Sequence, residues 1–512
     1  MKSLDLAVRA ASVLLLAQAA VHASPGAVSA SKPEPALLST NDAAPLSTLT
    51  TSTVDGDSLA VSDAEVETAS IRGANIGGVF LIEPFIKPSL FDQFLSGSNP
   101  ADIPVDEWTF SAALGKAEAR RQLEEHWDTF VTRDHLESLA ENGINWIRIP
   151  IGYWAFNVTD DEPYVDGQVP YIERLLEWSR DIGLKVELDL HGAPGSQNGY
   201  DNSGRRGTPE WLHSRVNVDR TLDVLSKMTG LAAEWSDVVR GIQILNEPSR
   251  WKWEVKDIFG FYNEAYDLVR GLAPDVYFMI HDTFLGPKEW PTLVAPRWTQ
   301  ALMDTHIYQM FDNYMVTMNE SAHIDMVATM AEDIVKFDRS SIGVVVGEFS
   351  AATHDCTKYI NGLGRGSRWE GTLQGVTDKP LCPFANCSCT GDYGSNYTEF
   401  SGHYKRFLRN YIDAQLDVYD QELVGWFFWN FRTEGAPEWD YLLGVEQGWI
   451  PKFPRTAVPK PEVSSSSSGD DESGSAAQSG ASRSRLCLGE WACGAVAVLG
   501  TVVAASAALA ML

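Results

Sequence analysis

Short apolar runs rich in β-branched residues recur along the chain, separated by longer segments in which apolar positions repeat every three to four residues. The runs fall at Trp146–Ile149, Lys185–Leu190, Gly241–Leu245, Val276–Ile280, Ala301–Asp304, Ile342–Val346 and Val424–Phe428, with a first near Ser70–Gly73. A run of four or five residues that is apolar throughout suits a parallel strand buried on both faces. The gaps hold amphipathic stretches such as Thr132–Glu141 and Asp219–Trp235, which read as helices packing one face on a sheet. Strand–helix alternation predicts the α/β class, and eight strands predict a (β/α)8 TIM barrel. A doubly wound open sheet has the same alternation, so the polar residues must decide. Arg148, His191, Asn246–Glu247, His281–Asp282, His306, Glu348 and Trp429 stand at or just after nearly every strand end. A barrel gathers such ends at one mouth, whereas an open sheet concentrates chemistry at one switch point. Two of the runs lead into glutamates, Glu247 and Glu348, and paired carboxylates at a barrel mouth are the machinery of glycoside hydrolysis.

Composition narrows the substrate. The 17 Trp, 16 Tyr and 21 Phe supply both core and flat apolar faces on which a sugar ring can stack. A formal charge of -29 with no basic run argues against nucleic acid, whose phosphates need clustered Lys and Arg.

The ends of the chain read differently from its middle. Residues 1–23, with Lys2 and Arg9 before an apolar stretch ending Val21-His22-Ala23, read as a secretory signal peptide. Residues 24–65 are rich in Ser, Thr, Ala and Pro and read as a disordered linker. The catalytic domain is expected over 66–460, followed by a Ser-rich acidic linker at 461–490 and an apolar tail at 491–512. That tail is long enough to span a bilayer, but the last basic residue is Arg485. Small residues Ser479-Gly480-Ala481, a polar spacer and an apolar end match a lipid-anchor signal, the favoured reading over a membrane span. Secretion fits sequons at Asn157, Asn319, Asn386 and Asn396. Cys487 and Cys493 fall beyond the anchor signal and would leave with the tail, leaving Cys356, Cys382, Cys387 and Cys389 for two disulfides of open connectivity. Zinc is the rival, with His354 near Cys356, but the spacing lacks paired C-x2-C hooks. No metal or cofactor is expected.

The motifs resemble glycoside hydrolase family five, in particular its secreted exo-β-1,3-glucanase subgroup of fungi and related microbes. The resemblance rests on Arg72-Gly-Ala-Asn-Ile-Gly-Gly78 with Glu83-Pro84, His126-Trp127, Arg148-Ile-Pro-Ile-Gly-Tyr-Trp154, the Asp189–Gly204 segment, Leu245-Asn-Glu-Pro248, His306-Ile-Tyr308, Gly347-Glu348 and Gly425-Trp-Phe-Phe-Trp429. It implies that Glu247 is the acid/base and Glu348 the nucleophile. Their proximity would raise the pKa of the acid while the nucleophile is anionic. It places Arg148 and Tyr308 on the nucleophile, His306 on the sugar, Asn246 on the 2-hydroxyl and His191 on another hydroxyl. Trp429 becomes the floor of the pocket, Tyr200 and Phe311 a clamp at its entrance, Glu83 and Asn202 hydroxyl ligands, and Asn361 and Arg365 neighbours of the next sugar. Two departures, Val79 and Phe349 where the subgroup has tryptophan, are expected to alter the shape of the pocket.

The resulting expectation is a secreted, monomeric, surface-tethered retaining enzyme that acts on β-1,3-glucan from non-reducing ends, with β-glucan as its partner and the membrane touched only through the tail. Rival readings are an endo-acting β-1,4-glucanase, a glucan transglycosylase, and an inactive glucan-binding surface protein.

Overall fold

A computed structural model describes residues 70–455 apart from 97–98, 100–102 and 339–341. The signal peptide, both linkers and the apolar tail lie outside the described residues. Eight strands close into one barrel in chain order: β1 (Ile71–Asn75), β2 (Trp146–Gly152), β3 (Lys185–Gly192), β4 (Val239–Gln243), β5 (Tyr277–His281), β6 (Ala301–Ile307), β7 (Gly343–Phe349) and β8 (Gly425–Phe428). Every neighbouring pair is parallel, including β1 with β8, where Gly73 stands opposite Phe427. The near-continuous burial of β2, β3 and β7 explains why their sequences show no apolar–polar alternation.

Most strand ends differ from expectation by a few residues. β2, β3, β6 and β7 run further than their apolar cores, so His191, His306 and Glu348 belong to the strands themselves, as Arg148 does. β4 is displaced the other way, to Val239–Gln243 rather than 241–245. Beyond it the backbone still bonds to its neighbours, Ile244 N–H to Met279 O at 3.2 Å and Asn246 N–H to Leu190 O at 2.9 Å, but it twists away from regular strand geometry to reach Glu247.

The expected helices form at Arg133–Glu141, started by a capping box from Thr132 and His135, and at Arg215–Glu234. Helices Val169–Ile182, Val255–Leu272, Glu320–Asp338 and Gly402–Glu422 fill most other gaps. The β5–β6 connection departs from the alternation, with only a 3-10 turn at Pro287–Glu289 among its described residues. Pro287, Pro291 and Pro296 explain this, because each lacks an N–H for a helical ladder. Buried Trp290 and Trp298 occupy the space instead, against Tyr262 and Phe278.

Within the barrel, Ile71, Trp146, Met279, Leu302, Val345 and Phe427 form an apolar plug. Trp146 and Arg148 share a face of β2 by the two-residue period of a strand, so the same inner face changes from apolar to charged on the way up. Cys356 pairs with Cys389 and Cys382 with Cys387, which fixes the connectivity and removes the zinc alternative. Among the described residues no helix is long and apolar enough to cross a membrane.

Candidate active site

The site is built around Arg148, wholly buried on β2. Its Nη1 donates to Glu348 Oε1 at 3.0 Å and Asn75 Oδ1 at 2.9 Å, and its Nη2 to Asn246 Oδ1 at 2.8 Å. Asp189 lies 3.2 Å and Glu187 3.3 Å from the guanidinium. A buried cation so enclosed is satisfied by charge and hydrogen bonds together. Burial opposes its charge, but Asp189, Glu348, Asp304 and Glu187 raise its pKa further, so it stays protonated. Asn75, at the end of β1, also donates to Gly347 O at 2.9 Å, tying the first strand to the one that carries Glu348.

Glu348 accepts from Arg148 through one oxygen and from Tyr308 Oη at 2.9 Å through the other. Glu247 faces it with Oε2 accepting from Asn202 Nδ2 at 2.8 Å and Oε1 at 2.7 Å from His306 Nδ1. That same His306 nitrogen is 3.4 Å from Glu348 Oε2. The facing oxygens of the two carboxyls, sharing one nitrogen, are at most about 6 Å apart, which favours the close pairing of a retaining enzyme over a pair opened to admit water. Glu247 itself sits at φ 46°, a left-handed conformation that costs a non-glycine residue of order 1–3 kcal/mol and is typical of functional sites.

Electrostatics reverse one expectation. Burial would raise Glu247, but the hydrogen bond and charge of His306, with His281 and Asn202, outweigh it and bring the carboxyl down to about 2. Burial raises Glu348, with His306 and Arg148 opposing it and Glu247 adding to it. The cause is His306, whose Nε2 lies 3.2 Å from Asp304 Oδ2. Burial disfavours its charge, yet Glu348, Asp304 and Glu247 raise its pKa well above the usual value. The site therefore holds its proton on His306 rather than on Glu247. Asp304 is held in place by the Gly347 N–H at 2.8 Å, and a Cβ at Gly347 would fall on that carboxylate.

Glu247, His281 and His306 bring three possible ligand atoms within 4.8 Å of one another, but the donor set does not suit a metal. His281 Nδ1 accepts from the Thr283 N–H at 3.0 Å, so in the neutral ring Nε2 carries the hydrogen. His306 has both nitrogens against carboxylates.

Above these residues opens a cavity of about 700 Å³, lined by Glu83, Tyr200, Asn202, Glu247, Tyr308, Phe311, Glu348, Asn361, Arg365, Trp429 and Trp439 among others. Trp429 is stacked on His191, ring centroids 5.5 Å apart, and a side chain at Gly77 would collide with its indole. Glu83 is buried with Oε1 lacking a hydrogen-bond partner. Burial and the neighbouring Asp201, Glu348 and Glu247 raise its pKa well above the usual value, so it faces the cavity as a neutral acid able to donate to a hydroxyl.

Several residues expected to meet the sugar are engaged with protein partners. His191 and Asn246 do not line the cavity and are almost wholly buried. His191 Nδ1 bonds Asp189 at 2.6 Å, and Asn246 bonds Arg148. Asn202 serves Glu247. Asn361 reaches the wall, but its amide is engaged by Asp355, Gly366 and Arg368, and Arg365 donates to Gln374 O at 3.3 Å. Val79 and Phe349 are buried outside the cavity lining, Phe349 against Tyr419, Trp426 and Phe428, so those two departures leave the pocket wall untouched.

Asn75, Asp189, Asp304 and Trp439 escaped the reading of the sequence. Asp189–His191 and Asp304–His306 did carry a signal, an acid two residues before a histidine on one face of an otherwise apolar strand. Trp439, 5.1 Å from Tyr308, lies outside any strand and had none.

The barrel and its paired glutamates define a glycoside hydrolase, and comparison gives the family. The family described as "Cellulase (glycosyl hydrolase family 5)" matches residues 112–367, and the chain belongs to it. A glucan 1,3-beta-glucosidase of Blumeria graminis is 40% identical over 391 residues, covering 75% of this chain and 87% of the relative. One from Pichia angusta is 39% identical, covering 75% and 86%. Among solved structures, a rutinosidase from Aspergillus niger superposes with TM-score 0.58 at 17% identity, covering 75% of this chain and 98% of that one, a likeness of fold.

Proposed function

We propose that this chain hydrolyses β-1,3-glucan with retention at the anomeric carbon, releasing glucose from non-reducing ends. The linkage is supported by the relatives named glucan 1,3-beta-glucosidase, at about 40% identity over most of both chains. The observation that carries the mechanism is the His306 nitrogen shared by Glu247 and Glu348, because it keeps their facing oxygens at most about 6 Å apart, nearer the close pair of a double displacement than the wider pair that admits water.

Glu348 is the nucleophile. Arg148 and Tyr308 each donate to one of its oxygens and orient it for attack on carbon one. Glu247 is the acid/base. Its proton comes across the 2.7 Å bond from His306 Nδ1, which leaves a neutral imidazole and no change in the charge of the pair. The protonated Glu247 then gives that proton to the leaving glucosyl oxygen as the glycosyl–Glu348 ester forms. In the second half, Glu247 removes a proton from water, the water attacks carbon one, and Glu348 is released. Trp429 and the neutral Glu83 position the sugar whose bond breaks. Tyr200 and Phe311 hold the sugar beyond it, with Asn361 and Arg365 on the loop that borders it.

An endo-acting glucanase or a transglycosylase would use the same carboxyls. Product analysis on laminarin separates them: glucose alone supports the exo reading, a ladder of oligomers makes the enzyme endo-acting, and products longer than the substrate indicate transfer. Early proton NMR should show the β-anomer first, and the α-anomer appearing first would exclude the covalent route.

The chain is further proposed to act outside the cell as a monomer. Its two disulfides support an oxidising compartment, and the Ser479-Gly480-Ala481 signal supports a lipid anchor. A mature peptide containing Leu512 at the cell surface would defeat the anchor.

A further inference from the structure

A second cavity, of about 430 Å³, shares no lining residue with the first. Its wall is aromatic. Trp369 and Tyr393 have ring centroids 4.6 Å apart, and Phe384 is 5.5 Å from each. Phe384 remains 46% exposed, in a loop held by the Cys382–Cys387 and Cys356–Cys389 bridges. Trp369 is 3% exposed and its Nε1 has no hydrogen-bond partner. Aromatic faces with a few polar groups at a recess suit the apolar face of a sugar.

The chain supplies a sugar acceptor at the lip. Asn319-Glu320-Ser321 is a sequon whose three residues all line this cavity, and Glu320 meets His403 Nε2 at 3.1 Å across it. Asn319 is exposed, and its Oδ1 accepts from the Ala322 N–H at 2.9 Å at the start of the helix. Capping occupies that oxygen and leaves Nδ2, the atom that glycosylation consumes. Two of the other three sequons differ: Asn157 is engaged with Asp223 and Arg220, and Asn396 Nδ2 donates to Glu399; the third, Asn386, sits at φ 68° inside the Cys382–Cys387 loop and does not line this cavity.

We propose that Asn319 carries an N-linked glycan whose first sugars seat on Phe384 and Tyr393, with Trp369 backing them. The inference rests on the secretory placement proposed above. Transfer replaces one Nδ2–H bond with an Nδ2–C1 bond. The lipid diphosphate of the oligosaccharide donor leaves with the electron pair of its C1–O bond, and the amide proton passes to a base of the transferase.

The test uses the full chain secreted from a eukaryotic host. Deglycosylation by peptide-N-glycosidase in H2 18O should label position 319 as aspartate. Ser321→Ala removes the sequon and keeps the cap, and Phe384→Ala removes the exposed ring. Each should lower Tm by about 1–2 °C, and the double variant no further, because both remove one contact. On enzymatically deglycosylated protein Phe384→Ala should cost less than on the glycosylated protein, only its contacts with Trp369 and Tyr393 being lost. An unmodified Asn319, or additive losses, overturns the proposal. So does laminaribiose raising the Tm of deglycosylated Glu348→Gln protein in a Phe384-dependent way, which would assign the cavity to free glucan. Laminarin hydrolysis should be unchanged in Ser321→Ala and Phe384→Ala, so failure here is distinguishable from failure of the proposed activity.

Discussion

His306 Nδ1 lies 2.7 Å from Glu247 Oε1, and this bond joins the two halves of the site. Glu247 alone is an acid with its value pulled down to about 2 and would be a poor proton donor. Coupled to an imidazole of raised pKa, it has a proton one short transfer away. For an interacting pair the titration belongs to both groups, so Glu247 and His306 act as one acid.

Removing either carboxyl should abolish laminarin hydrolysis without unfolding the barrel. Glu348→Gln and Glu247→Gln should each cost at least about 10²–10⁴-fold in kcat. They should differ on an aryl glucoside with an activated leaving group. Glu247→Ala should still form the glycosyl intermediate and regain turnover with azide, whereas Glu348→Ala should show no retaining turnover. Near wild-type rates in both glutamine variants would refute the site.

His306→Gln should narrow the pH profile of kcat/KM. As the proposed nucleophile Glu348 has to be ionised, and the His306 charge lowers its pKa against burial. Without that charge its pKa rises, so activity is lost at a higher pH as the solution is acidified. The alkaline limb should move down, because the proton is no longer shared with an imidazole of raised pKa. A profile of unchanged shape and reduced height would mean that His306 only positions its neighbours.

Tyr200→Ala with Phe311→Ala should raise KM for laminarin and reduce transfer to acceptor sugars, with a smaller effect on an aryl glucoside. Phe311 also packs edge-on against Tyr308, centroids 5.6 Å apart, and Tyr308 holds Glu348. Equal losses on both substrates would therefore assign Phe311 to supporting Tyr308 rather than to stacking on a sugar.

The barrel was legible in the sequence because strands buried on both faces leave short continuous apolar runs, and the glutamates because they follow such runs. Less legible was anything set by contacts across the barrel. Asn75 stands in the Arg72–Gly78 motif with no role of its own until β1 pairs with β2 and sets it opposite Arg148. The acid ordering of Glu247 and Glu348 depends on His306, 59 positions from Glu247 in the chain, and no local pattern carries that charge. The β5–β6 turn was visible in principle, since three prolines forbid a helix there.

Stability should respond to pH through acids the mechanism does not use. Burial raises Glu107 to about 8, although its Oε2 accepts the Ile82 N–H at 2.9 Å, and burial likewise raises Asp282 and Asp440 to about 6. Their unfolded values are about 4. Between those limits the folded state binds more protons at these groups, so the stability they contribute is fullest below about pH 4 and drains as pH rises through each folded value. Each such group contributes a slope of up to about 1.4 kcal/mol per pH unit. Glu247 works oppositely, but its loss comes only as pH falls through about 2. Calorimetric Tm should therefore fall between about pH 5 and 8. Glu107→Gln keeps an acceptor for the Ile82 N–H and removes the titration, so the variant should gain on the parent steadily across that window. Parallel curves would show that Glu107 is already ionised in the folded protein.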